Sequence, residues 1–240
     1  ESEATKLAFF ERNKYLADPS FYNVPVPNLI SMEYAELMRK SISKESVIQN
    51  IPNLNFPHHK DTVYLCVVDS EYNSISLINS IFQPFGSGIV SKKSGVLFHN
   101  RGASFSLDKN NPNFIEPKKR PMHTIIPGMM IKNDLPIMPF GVMGAHYQPI
   151  GQAHFIINCL DYGMDVQMAL DNPRTFYFNN KLSCERSISK KTLSKLQEIG
   201  HNIDICDLPH GGGQAIKIDR KNKILIGGSD PRKDGASLGY

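Results

Sequence analysis

Apolar positions recur at helical spacing near the start of the chain and at strand-like spacing from residue 62 onward, so periodicity alone divides the sequence in two. Residues 2–17 carry Ala4, Leu7, Ala8, Phe9, Tyr15 and Leu16 among charges, which predicts an amphipathic helix with Ser2 as its cap and Asp18-Pro19 as its stop. A second helix is expected over 32–44. Residues 45–61 hold Pro52, Pro57 and three asparagines without any period, as an exposed linker does. From 62 the pattern predicts strands at 62–69 and, after the turn Glu71-Tyr72-Asn73, at 74–82. A short segment at 95–100 and apolar runs at 122–131 and 136–143 extend the series. Helices are expected at 149–162, at 165–171 (closed by Asn172-Pro173) and at 187–199 (ended by Gly200), followed by strands at 202–206, 214–219 and 223–228. Strands on both sides of a helical centre predict an α+β fold with two sheets between helical layers.

Composition narrows the function. The 240 residues, 40% hydrophobic and 21% charged, suffice for one large domain or two small ones. Lys and Arg exceed Asp and Glu by 27 to 23, and the densest basic group, Lys118-Lys119-Arg120, is what a solvated loop carries; a nucleic-acid partner is not expected. Cys66, Cys159, Cys184 and Cys206 stand singly, without a CxxC, and read as small core residues in a reducing compartment. That favours the cytoplasm over the periplasm, with an upstream signal left open because the chain starts at Glu1. The eight histidines include no HExxH, so no metal and no cofactor is called for. No apolar run approaches the roughly 20 residues that span a bilayer, and no membrane partner is expected.

The chemistry concentrates at Asp61-Thr62-Val63-Tyr64-Leu65-Cys66-Val67-Val68-Asp69, where a threonine heads a strand that follows a polar linker. Breaking the Asp61–Thr62 bond would give Thr62 a hydroxyl nucleophile and a free α-amino group on one residue. With a pKa of about 7.7–8.0, that amine can take the hydroxyl proton at neutral pH. A strand threonine is otherwise accounted for by β-branching alone. His210-Gly211-Gly212-Gly213-Gln214 lacks the lysine of a phosphate loop, and Gly227-Gly228-Ser229-Asp230-Pro231-Arg232 reads as a turn; neither is assigned a catalytic role.

The segments DTVYLCVVD, FGSGIV, NRGASFSLD, KRPMHTIIPGM, FGVMGAHYQP, DYGMDVQMALDNPR and GGSDPRKDGASLGY stand in the order and spacing of the gamma-glutamyltransferase family of N-terminal nucleophile hydrolases, which the chain resembles from end to end. Residues 1–61 look like the tail of the family's large subunit and 62–240 like its small catalytic subunit, together one domain of the αββα sandwich type. The resemblance implies a precursor cut before Thr62, a missing large-subunit segment as partner, and a heterodimer or higher oligomer after processing. Thr62 becomes the acyl-accepting nucleophile. Ser80 aligns with a threonine that hydrogen-bonds near it. Gly144 and Ala145 supply the backbone N–H groups of the oxyanion hole, Ala145 standing where the family usually has a second glycine and requiring a φ that tolerates a Cβ.

The substrate-holding positions depart from those of glutathione-cleaving members. A glutamine and an aspartate that hold the glutamyl α-amino group correspond to Arg101 and Ser104, a serine pair to His123-Thr124, and an asparagine to Phe82. A guanidinium in place of a carboxylate suits a carboxylate or polarised carbonyl and repels an ammonium. The resemblance therefore points to the oxamate amidohydrolase-like and acylase-like branch and to a small amide substrate without a free α-amino group. A gamma-glutamyl hydrolase with an altered ammonium site, and an uncut inactive fragment acting as a binding or structural protein, are the alternatives. Arg101 as a structural ion-pair residue is a third.

Overall fold

The computed structural model of the chain describes residues 1–49 and 61–239. In order these form α1 (Ser2–Tyr15), α2 (Val26–Leu29), α3 (Met32–Arg39), β1 (Asp61–Val68), β2 (Ser74–Phe82), β3 (Gly128–Lys132), β4 (Leu135–Met143), α4 (Gln148–Leu160), α5 (Val166–Asp171), β5 (Thr175–Phe178), β6 (Lys181–Cys184), α6 (Lys190–Glu198), β7 (Ile203–Ile205), β8 (Gly212–Asp219) and β9 (Ile224–Ser229). Most of the expected linker at 45–61 falls outside the described residues. Several expectations are corrected. Ser2 is the first helical residue instead of the cap, α3 stops at Arg39, and 95–100 contributes only the isolated bridge Val90–Leu97. Residues 122–127 form no strand. The sequence reading also missed the β5–β6 hairpin, whose two-residue loop Asn179-Asn180 has φ of +49° and +58°. Two left-handed residues in succession match the twist of the flanking strands, and asparagine tolerates that conformation best after glycine.

Two compact units result. The first combines 1–49 with 101–123 and 175–207. Within it Phe9 of α1 meets Phe176 of β5 edge-on at 5.9 Å, and the Lys6 ammonium lies 4.4 Å from the centre of the Tyr177 ring. Glu3, itself buried, pairs with Lys6 at 2.7 Å and accepts the Ile48 N–H at 2.6 Å. Asp18 receives two side-chain hydrogen bonds and the backbone N–H of Arg120. A cavity of about 540 Å³ between α1 and α3 is lined by Leu7, Ala8, Tyr34, Met38 and Ile42, and no predicted site residue borders it.

The second unit holds 61–100, 124–174 and 208–239. Its four-stranded antiparallel sheet runs β3-β4-β8-β9, and β1 and β2 form a separate antiparallel pair. β4 is buried without a break from Met138 to Met143 because both faces are covered. Met138 and Phe140 point to α4 and α5, where they join Phe155, Val166, Ala169, Leu170 and Ala215. Met143 points the other way, to Tyr64 and Ile78 of the β1–β2 pair. Gly141 makes that second contact possible: a Cβ there would fall 2.4 Å from the Tyr64 ring. Among the described residues no helix is long and apolar enough to cross a membrane.

Candidate active site

β1 and β2 pair with a shift of register between Asp61 and Thr62, so Asp61 faces Phe82 and Thr62 faces Ser80. The shift is accompanied by Phe82, buried at φ +79°, a conformation that a bulky side chain rarely adopts. It turns the Phe82 N–H onto Ser80 Oγ at 3.0 Å. The same Ser80 oxygen accepts the Thr62 hydroxyl at 3.0 Å. A strained backbone at one residue thus fixes the acceptor that aims the Thr62 oxygen.

The next pairs along this face pack against β4. Ser76 donates to the Phe140 carbonyl of β4 at 3.3 Å, and Tyr64 and Ile78 lie against Gly141 and Met143. Beyond Met143 the chain continues from β4 to Gly144 and Ala145. Those two residues leave the β4 ladder at φ +136° and +53° and enter a short turn, closed by Tyr147 N–H on Gly144 O at 2.9 Å. Ala145 carries its Cβ in the left-handed region, at a conformational cost of about 1–2 kcal/mol.

A buried ionic network, which sequence reasoning missed, backs this turn. Gly144 abuts Gly211, where a Cβ on the former would come within 2.8 Å of the latter's Cα. Arg174 donates to the His210 carbonyl at 2.8 Å on one side of Gly211, and on the other side Asp230 accepts the Gly213 N–H at 2.9 Å. Arg174 and Asp230 pair directly at 2.7 Å with no exposure, and Arg232 adds a contact to Asp230 at 3.1 Å. Tyr147 stacks on His210 at 5.4 Å. Thr124 is buried in this unit as well.

Arg101, Ser104 and His123 belong to the first unit, where Asn113, another residue that sequence reasoning missed, ties Ser104 to Met122. Its amide donates to Ser104 O at 2.7 Å, and its Oδ1 accepts the N–H of Met122, the neighbour of His123. Arg101 is buried, and desolvation lowers its pKa from the ordinary guanidinium value. The His123 pKa is lowered by partial burial and then by the charges of Arg101 and Arg120. For Asp61 only the backbone is described.

The gamma-glutamyltranspeptidase family model matches residues 1–240. The chain belongs to that family. It is 37% identical to the glutathione hydrolase-like YwrD proenzyme of Bacillus subtilis and 33% identical to the oxamate amidohydrolase proenzyme of Klebsiella pneumoniae, in each case over 99% of this chain and 46% of the relative. The solved cephalosporin acylase from Bacillus halodurans superposes with a TM-score of 0.86 at 39% identity, over 99% of this chain and 44% of that one. The fold is therefore the α+β sandwich of N-terminal nucleophile hydrolases, on the acylase-like branch of the family, and the chain spans about half the length of the relatives it matches. Two solved gamma-glutamyltranspeptidases, 25% and 26% identical with TM-scores of 0.64 and 0.65, are each covered over 99% of their chain by 71–72% of this one.

Proposed function

We propose that this chain carries the nucleophile of an amide hydrolase or acyltransferase that is activated by cleavage before Thr62. The observation that supports it best is the Thr62 hydroxyl held by Ser80 at the start of β1, on the face that packs against β4, the strand before the Gly144-Ala145 turn. In the uncut chain the Thr62 oxygen attacks the Asp61 carbonyl and the Asp61–Thr62 C–N bond breaks, which moves the acyl group to oxygen and frees the Thr62 α-amino group; hydrolysis of that ester releases the Asp61 carboxylate and restores the Thr62 hydroxyl. In turnover that amine accepts the hydroxyl proton while the oxygen attacks the substrate amide carbonyl. The Gly144 and Ala145 N–H groups stabilise the oxyanion. Collapse expels the amine of the substrate with the proton, and water or another amine then takes the acyl group from Thr62. The matched gamma-glutamyltranspeptidase chains, covered over 99% of their length by 71–72% of this chain, support a separate portion of about the size of residues 62–240.

Arg101 and Ser104, in place of the residues that hold a glutamyl ammonium, favour an acyl donor that bears a carboxylate or polarised carbonyl and no free α-amino group. The names of two relatives, oxamate amidohydrolase and cephalosporin acylase, support the same class. Intact mass and N-terminal sequencing after incubation at neutral pH test the cleavage: a new terminus at Thr62, absent from Thr62→Ala, is expected, and cleavage that persists in Thr62→Ala removes the mechanism. Comparing oxamate with a gamma-glutamyl anilide tests the donor class; preference for the anilide would favour a gamma-glutamyl hydrolase instead.

A further inference from the structure

Tyr64 follows Thr62 by two residues on β1, hence on the same face of the strand, and is buried. Its ring is accounted for by the core it forms with Ile78 and Met143, but a core ring needs no hydroxyl, and burying one unpaired is costly. The Tyr64 oxygen lies 2.9 Å from Ser76 Oγ, and Ser76 donates to the Phe140 carbonyl at 3.3 Å. Serine has a single hydroxyl proton, so with that proton on Phe140 the Tyr64 hydroxyl is the donor of the first bond. Burial, and then the neighbouring Cys66, raise the phenol pKa, which keeps that donor protonated at neutral pH.

The chain Tyr64–Ser76–Phe140 crosses from one sheet to another, because β1 and β2 form a pair of their own while β4 belongs to the four-stranded sheet. Apolar contact between two sheets is non-directional and leaves small displacements cheap. Hydrogen bonds, which weaken with length and angle, do not. Gly141 adds a second constraint, since the Tyr64 ring fills the volume that a Cβ on Gly141 would need. Ring and hydroxyl together hold β1 at one place on β4. From there Thr62 is two residues along β1 and Gly144 three residues along β4, about 7 and 10 Å at the rise of a strand. We propose that Tyr64, acting through Ser76, is a positioning residue that sets Thr62 relative to the Gly144-Ala145 turn, without touching substrate or moving a proton. This role rests on the reading of Thr62 as the nucleophile.

The test uses the product of the complete coding sequence and its Tyr64→Phe, Ser76→Ala and double variants. Intact mass reads the terminus at Thr62, and kcat and KM are measured on oxamate or a gamma-glutamyl anilide, whichever the parent turns over. Each single variant should lower kcat about tenfold or more with KM within about twofold, as misplacement of reacting groups does. The melting temperature should fall by only about 2–4 °C, as expected for one hydrogen bond. The double variant should be no slower than the slower single, because both substitutions break one chain. The pH at which kcat is half-maximal should not move, because the phenol does not titrate there. Unchanged kcat in Tyr64→Phe beside a cut and active parent overturns the proposal alone and leaves Tyr64 as core packing. Multiplying losses in the double variant, a shifted pH profile or a loss confined to KM overturns it as well. A parent that never shows a terminus at Thr62 refutes the nucleophile and this role together.

Discussion

Arg174 and Asp230 meet at 2.7 Å, 56 positions apart in sequence, with neither side chain reached by solvent. Two of the carbonyl and amide groups they bind flank Gly211, the residue against which the Gly144-Ala145 turn rests. Removing one charge leaves the other buried and uncompensated, so Asp230→Asn should cost about 3–5 kcal/mol of unfolding free energy in urea. Amide exchange at Gly213, whose N–H loses a charged acceptor, should accelerate in the same variant. A loss below about 1 kcal/mol would mean that Arg232 or Arg174 finds another partner.

Ser80 accepts from both Thr62 Oγ1 and the Phe82 N–H, and only the first of these contacts concerns reactivity. Ser80→Ala should slow both cleavage before Thr62 and turnover, on the order of 10²-fold, as misplacement of a nucleophile does. Ser80→Thr, which keeps the hydroxyl, should restore most of the rate. Equal rates in Ser80→Ala and the parent would dismiss the hydrogen bond as incidental.

Ala145 and Gly141 make opposite predictions from neighbouring positions. Ala145→Gly relieves a left-handed Cβ worth about 1–2 kcal/mol and adds about 0.5–1 kcal/mol of unfolded-state entropy, so a net gain of up to about 1.5 kcal/mol is expected. Gly141→Ala drives a methyl into the Tyr64 ring and should cost about 1–3 kcal/mol. Thermal or denaturant melts of the two variants check both signs.

Asp18 links stability to acid. Hydrogen bonds from the Arg120 side chain and backbone, and then from the Ser20 N–H, hold its carboxyl well below the ordinary carboxylate pKa. A lowered folded-state pKa contributes stability that is complete above the unfolded value of about 3.9 and is lost as pH falls toward the folded value. Melting temperature should therefore decline below about pH 4, and Asp18→Asn should remove part of that decline while lowering stability at pH 7. A parallel decline in the variant would assign it to other carboxylates.

The elements around Thr62 were legible because their signals are local. Thr62 heads a strand, Ser80 falls in the strand after it, and a glycine-rich turn follows an apolar run, all of which periodicity and turn chemistry disclose. The β5–β6 hairpin escaped because four-residue strands give too short a window for alternation, although Asn179-Asn180 was the available cue. Residues 122–127 look like a strand by apolarity alone, but their backbone finds no ladder before Gly128. The Arg174–Asp230 pair and the role of Asn113 depend on contacts between distant segments, and nothing in the neighbouring residues announces them. The strain at Phe82 and Ala145 was equally hidden, since both residues are ordinary in composition and unusual only in backbone conformation.

The first unit draws residues from before and after the Asp61–Thr62 bond: Phe9 on Phe176, Lys6 on Tyr177, Asp18 on Arg120. Within a single chain these contacts close loops, and their strength does not depend on how much protein is in the tube. Once that bond is broken, the same contacts become an association between two molecules, and dilution enters the balance. A cut form should melt at a temperature that rises with its concentration, whereas the uncut chain should not.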